Sequence, residues 1–194
     1  MEKKLLFGTG NPNKLQEIRQ LLGEPWQVLG LKDVAISGEV PETGSTLEEN
    51  ARLKAVGYGE PLGLPCFADD TGLEVDALNG APGVHSARYA GEAADPKRNM
   101  EKLLAELQSA ETRAARFRTV IALWRPGQPL AYFEGAVQGE IMPEPAGSGG
   151  FGYDPIFRAE GFSVTFAEMP PQQKNAISHR GQAVRKLIAF LKNG

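Results

Sequence analysis

The chain has 194 residues, 41% of them apolar and 23% charged, with 21 Lys and Arg against 24 Asp and Glu, a formal charge of −3 and a pI near 5.5. That length suffices for one good core or two small lobes, and the acidic balance argues against a nucleic-acid polymer as partner while leaving room for a small anion in a local basic pocket. A single cysteine, Cys66, fits a reducing compartment; no run reaches the roughly 18 apolar residues of a membrane span, and the N-terminal apolar stretch is too short for a signal peptide, so a cytoplasmic protein is expected.

Lys4 to Gly8 reads as a buried strand, Thr9-Gly10-Asn11-Pro12-Asn13 as a turn, and Lys14 to Leu22 as a helix with Leu15, Ile18, Leu21 and Leu22 on one face. Gln27 to Leu29 is a second strand. Ser45-Thr46-Leu47-Glu48 has the pattern of a capping box, which predicts a helix to about Val56 with Leu47, Ala51 and Ala55 facing the core. Leu64 to Ala68 is a buried strand that ends at Asp69-Asp70, with Thr71-Gly72 as a turn and Leu73 to Leu78 as a further strand. Asp95-Pro96 opens a helix to about Leu107. Arg116 to Arg125 and Leu130 to Met142 form an antiparallel pair across Pro126-Gly127-Gln128; Pro143 to Gly152 is a loop; a last helix starts near Ser178. The pattern is α/β with a mixed sheet.

Two adjacent carboxylates at a strand's exit are costly to bury unless cations neutralise them. Asp69-Asp70 therefore suits a Mg²⁺ site with a general base, and reads equally well as an acidic turn. The turn from Thr9 to Lys14 offers backbone N–H groups, hydroxyl and amide donors and a lysine to a phosphate, without the P-loop pattern; an ordinary capped turn is the alternative. Gly147-Ser148-Gly149-Gly150-Phe151-Gly152 matches the spacing of a dinucleotide fingerprint, but prolines precede it and Tyr153-Asp154-Pro155 follows, so no strand and helix frame it. Its glycines are expected to let backbone approach a ligand, Phe151 and Tyr153 to offer a stacking face, and Asp154 to accept from a base N–H. Ser178 as N-cap places His179 and Arg180 in a first helical turn, against the dipole, where an anion or a carbonyl would suit them. Glu42 is a third carboxylate for the metal, and Lys54 follows Asn50 by one helical turn. Zinc is not supported by two distant histidines and one cysteine.

Together these segments resemble the inosine/xanthosine triphosphate pyrophosphatases. The resemblance rests on Thr9 to Lys14, Glu42-Thr43-Gly44, Glu49 to Ala55, Ala68-Asp69-Asp70-Thr71-Gly72-Leu73, Gly80-Ala81-Pro82-Gly83, Ser86-Ala87-Arg88-Tyr89, Gly149 to Pro155 and Ser178-His179-Arg180-Gly181, in that order along nearly the whole chain. It implies an α/β fold over 1–194: one two-lobed domain on an elongated mixed sheet flanked by helices, with a central nucleotide cleft and a homodimeric assembly. It implies hydrolysis of dITP, ITP and XTP to monophosphate and pyrophosphate with Mg²⁺. By motif, the resemblance implies Asp70 as the proton acceptor and a metal ligand, with Glu42 as a second ligand. Thr9, Gly10, Asn11, Pro12, Asn13, Lys14, Lys54, Thr71, Phe151, Gly152, Tyr153, Asp154, Lys174, His179 and Arg180 are implied substrate contacts. Two rivals remain at this stage: a phosphatase that forms an aspartyl-phosphate, and a nucleotide-binding module without catalysis.

Overall fold

A computed structural model describes residues 3–36 and 38–193; the side chains at positions 13, 17, 20 and 21 lie outside the description, and with them the expected core place of Leu21 and the expected contact of the Asn13 side chain. Its elements are β1 (Lys3–Phe7), α1 (Pro12–Leu22), β2 (Trp26–Leu29), α2 (Leu47–Gly59), β3 (Cys66–Val75), β4 (Pro82–Gly83), α3 (Pro96–Glu106), β5 (Ala114–Trp124), β6 (Ala131–Ile141), β7 (Phe157–Ala159), α4 (Pro171–Ile177) and α5 (His179–Asn193). Among the described residues the strands form one seven-stranded mixed sheet in the order β2-β1-β3-β5-β6-β7, with β4 on β3. β1 runs parallel to β2 and to β3, whereas β4 is antiparallel to β3 and β7 to β6.

The chain divides into two compact units. The first comprises Met1–Asp70, Val120–Glu134 and Ala183–Gly194; the second comprises Thr71–Thr119 and Gly135–Gln182. In the first, Leu5 and Phe7 point to a core shared with Ile18, Leu22, Phe67, Leu187 and Leu191, and Leu6 points the other way onto Tyr58 and Cys66. A strand apolar on both faces is what a central position in a parallel sheet demands, so the run Leu5-Leu6-Phe7 needs no alternation. Phe7 stacks on Phe67 with ring centroids 4.3 Å apart. The second unit packs Leu73, Val75, Leu103, Phe117, Ile141, Ile156, Phe157 and Phe166 together.

Three local expectations change. β3 runs unbroken from Cys66 through Asp69-Asp70-Thr71-Gly72 to Val75, so Thr71-Gly72 is strand, not turn, and Asp76–Leu78 close a 3₁₀ turn after it. Pairing explains this: β1 pairs with Cys66 and Phe67, and β4 with Leu73 and Glu74, so the strand is held at both ends of the doublet. The cap of α2 is Thr46 rather than Ser45: its hydroxyl accepts from Glu49 N at 3.1 Å, and the Glu49 carboxylate accepts from Ser45 N and Oγ. Leu47, Ala51 and Ala55 are buried as expected. Pro171–Ile177 is a short helix that the periodicity did not reveal.

Candidate active site

At Phe7 the pairing of β1 with β3 ends, and β1 turns off into the segment that opens α1. Asp69 and Asp70 lie just past that point, midway along β3 and beyond the carboxyl end of β1, and ligands of open α/β sheets bind outside the carboxyl ends of their strands. The turn is folded by its own side chains: Thr9 Oγ1 accepts from Asn11 N at 3.2 Å, and Asn11 Oδ1 accepts from Lys14 N at 3.3 Å. Asn11 is thus the N-cap of α1, and Pro12, Asn13 and Lys14 form its first turn, two residues earlier than the spacing suggested. Gly10 stands in open space. Lys14 Nζ donates to Asp69 Oδ2 at 2.7 Å.

A second lysine lies beside Asp70. Successive strand residues face opposite sides, and Lys54 of α2 lies 3.8 Å from Asp70 Oδ1 while donating to Glu42 Oε1. Burial by itself disfavours the Lys54 ammonium, but Asp70, Asp69 and Glu42 outweigh it and hold its pKa above the ordinary lysine value. The loop that carries Glu42 is tied down by Asn50, a buried residue of α2 whose Oδ1 accepts from Gly44 N at 2.8 Å. Sequence reasoning noted Asn50 only for its spacing to Lys54; its burial is what shows its role. Asp70, Lys54 and Glu42 are therefore assembled as one cluster in the first unit, with Lys14 and Asp69 as a second ion pair there.

The second unit gathers the expected base contacts. Phe151 is 64% exposed, with Lys174 Nζ 4.9 Å and the Arg180 guanidinium 5.6 Å from its ring centroid. Ser178 caps α5 as expected, its Oγ accepting from Gly181 N at 3.1 Å. His179 is buried, and its ring stacks on Phe117 at 4.9 Å. Thr71 Oγ1 lies 2.7 Å from Thr119 Oγ1.

Two members of this segment differ from their expected parts. The Tyr153 ring packs in the core and its hydroxyl donates to Ser86 O at 2.8 Å, so it presents no stacking face; burial, with smaller contributions from Tyr89 and Glu106, pushes its pKa up. Asp154 is 3% exposed and serves its own loop: Oδ2 accepts from Phe151 N at 2.7 Å and from Lys174 Nζ. The glycines here meet protein, not open space for a ligand. Gly150 has φ +71° and an added Cβ would fall 2.1 Å from Asp154 Oδ2, while Gly147 and Gly149 stand against the Ala167 backbone. Gly152, unlike these three glycines, has nothing within 4 Å of an added Cβ. Thr119, Phe117 and Ser86 were not singled out by sequence as supports, because a buried side chain on a neighbouring strand carries no local signature.

The first unit offers paired carboxylates and lysines suited to a polyphosphate, and the second offers an exposed aromatic ring flanked by cations. Comparison with known proteins agrees. The Ham1 family profile matches residues 5–190. A dITP/XTP pyrophosphatase of Porphyromonas gingivalis is 52% identical over 190 residues, 97% of each chain, and one of Flavobacterium johnsoniae is 50% identical over 188 residues, again 97% of each. Among solved structures, the Staphylococcus aureus Ham1 protein has a TM-score of 0.94 at 41% identity, covering 98% of this chain and 99% of its own. The nucleoside-triphosphatase / dITP/XTP pyrophosphatase of Mycobacterium abscessus has a TM-score of 0.84 at 44% identity, covering 95% and 98%. With a match that spans almost every residue and both clusters of site residues, this chain belongs to the Ham1 family.

Proposed function

We infer that the chain is a dITP/XTP pyrophosphatase, which hydrolyses deaminated purine nucleoside triphosphates to the monophosphate and pyrophosphate and so clears them from the nucleotide pool. The names of its relatives support the activity. The observation that carries the chemistry is the Glu42–Lys54–Asp70 cluster, just past the last pairing of β1 with β3.

Mg²⁺ fits the donors available. Glu42 and Asp70 share one ammonium, and among the described residues no three His, Cys, Asp or Glu side chains are grouped to hold a metal by themselves. Mg²⁺ takes one or two carboxylates and completes its shell with substrate phosphates and water, which suits this set; a self-sufficient protein cage does not. Bound there, Mg²⁺ would supply charge neutralisation for the triphosphate. Asp70 accepts the proton of the water that attacks the α-phosphorus, the α–β anhydride bond breaks, and pyrophosphate leaves with the bonding electron pair. Lys14 and Lys54 offset the phosphate charge. Phe151 stacks on the purine, and Lys174 and Arg180 donate to its 6-oxo group, where adenine has an amino group that only donates; a site built to pair a polar group rejects its mismatch strongly. A homodimer in the cytoplasm completes the reading, on the family resemblance and the lone buried cysteine.

The test is product analysis on dITP, XTP and ATP with and without Mg²⁺. Pyrophosphate from dITP and XTP, little turnover of ATP and no turnover without the metal are expected. Asp70→Asn should lower kcat about 10²- to 10⁴-fold. Orthophosphate as the sole inorganic product would favour the aspartyl-phosphate route instead, and equal rates on ATP would remove the base-recognition claim.

A further inference from the structure

Phe151 keeps its place through its backbone, because most of its ring meets solvent. Asp154 accepts from Phe151 N, and between the two Tyr153 sends its ring into the core of the second unit. The Tyr153 hydroxyl donates to the Ser86 carbonyl at 2.8 Å. Ser86 is itself buried and tied to β3. Its Oγ accepts from Leu73 N at 2.9 Å and donates at 2.6 Å to the carbonyl of Gly83, the β4 residue that pairs with Leu73. The direction of each bond is fixed by chemistry, since a backbone N–H only donates and a carbonyl only accepts. The Tyr153 and Ser86 hydroxyl protons are both committed to carbonyls. A line of hydrogen bonds therefore runs from β3 through Ser86 to Tyr153, wholly within the second unit.

We propose that Ser86 is a positioning residue for base recognition: its carbonyl anchors the Tyr153 hydroxyl and its own hydroxyl anchors it on β3, so that the loop presents the Phe151 ring in one place beside Lys174 and Arg180. The proposal rests on the pyrophosphatase reading, with Phe151 as the ring that stacks on the purine. An exposed ring on an anchored backbone loses little freedom when a ligand binds, and that preorganisation appears as affinity. The effect belongs to the base and not to the polyphosphate, whose cluster of Glu42, Lys54 and Asp70 lies in the first unit.

Tyr153→Phe keeps the ring in the core and removes the donor, and Ser86→Ala removes the two bonds to β3 and β4. The readouts are the Kd of dIMP, the monophosphate product, by calorimetry, and kcat and KM on dITP with inorganic pyrophosphate as inhibitor. Each variant is expected to weaken dIMP and raise KM about three- to tenfold, the scale of one neutral hydrogen bond, with kcat within about twofold and pyrophosphate inhibition unchanged. Neither should weaken dIMP further on top of Phe151→Ala, because the effect runs through that ring. A merely structural bond would lower the melting temperature and leave these ratios alone. Parental dIMP affinity in Tyr153→Phe, a loss confined to kcat, an equal loss of pyrophosphate inhibition, or losses that multiply with Phe151→Ala would each overturn the proposal. Ser86→Ala leaves Leu73 N without its acceptor and should melt at a lower temperature; if it does not fold, Tyr153→Phe decides alone. No pyrophosphate from dITP in the parent, with dIMP bound there and weakened in Tyr153→Phe, overturns the pyrophosphatase reading and keeps the anchor. Turnover in the parent with unchanged dIMP affinity in Tyr153→Phe overturns the anchor and keeps the enzyme. A parent that neither turns over dITP nor binds dIMP overturns both.

Discussion

Asp69 and Asp70 are neighbours in the chain with different ion-pair geometry. Asp69 accepts from Lys14 of α1, while Asp70 lies 3.8 Å from Lys54 of α2, which also holds Glu42 and feels the charge of both aspartates. A similar difference separates Phe151 from Tyr153. One ring stands exposed between cations, and the other is a core residue with a satisfied hydroxyl. Phe151→Ala should therefore raise KM for dITP about tenfold or more, since base–aromatic stacking contributes about 1–3 kcal/mol per base, whereas Phe151→Trp should keep KM near the parental value. Steady-state kinetics on dITP checks both. Gly150 makes a complementary case for the loop beneath the ring. Gly150→Ala places a Cβ against the Asp154 carboxylate at a left-handed φ, and should lose at least about 1 kcal/mol of stability in a urea titration.

Element ends were legible where one side chain decides them. Asp95 caps α3 by accepting from Lys97 N and Arg98 N, with Pro96 in the first turn, as its sequence indicated. The second helix shows the limit of such reading. Ser45 and Thr46 both have a glutamate three residues on, so two capping boxes compete in the text of the chain. The one that forms has Thr46 on Glu49 N, and Ser45 instead holds the Glu49 carboxylate below its usual range through its backbone N–H and hydroxyl. Thr46→Ala should cost about 1 kcal/mol, a fall in melting temperature of about 2–4 °C for a chain of this size. Ser45→Ala should cost less than about 0.5 kcal/mol. Calorimetry on the two variants separates them. Strand β3 is the opposite case, because Thr-Gly after two acids resembles a turn locally and only its partners keep it extended.

Across the whole molecule, the burial of Cys66 follows from its place on β3, where it packs with Leu6, Leu31 and Tyr58. Burial pushes its thiol up to about 12 from an ordinary 9.0. A group whose pKa is raised on folding contributes a stability that is complete below the unfolded value and is lost as pH rises through the folded one. The contribution of Cys66 should therefore be flat up to about pH 9, decline above it, and be missing from Cys66→Ala. The same thiol should resist labelling at pH 8 until denaturant unfolds the chain, as a timed reaction with a chromogenic disulfide would show.

The sequence by itself determined the α/β class, most of the helices and strands, the caps written in one or two residues, and the ordered motifs that mark the family, because each depends on neighbours within a turn or on a period of apolar residues. Only the tertiary structure decided that β3 passes straight through the acidic doublet, that Lys54 joins Glu42 to Asp70, that Asp154 secures Phe151 and Lys174, and that Thr119 meets Thr71. Those outcomes depend on strand pairing and burial between residues distant in the chain, and neither propensity nor spacing carries that information.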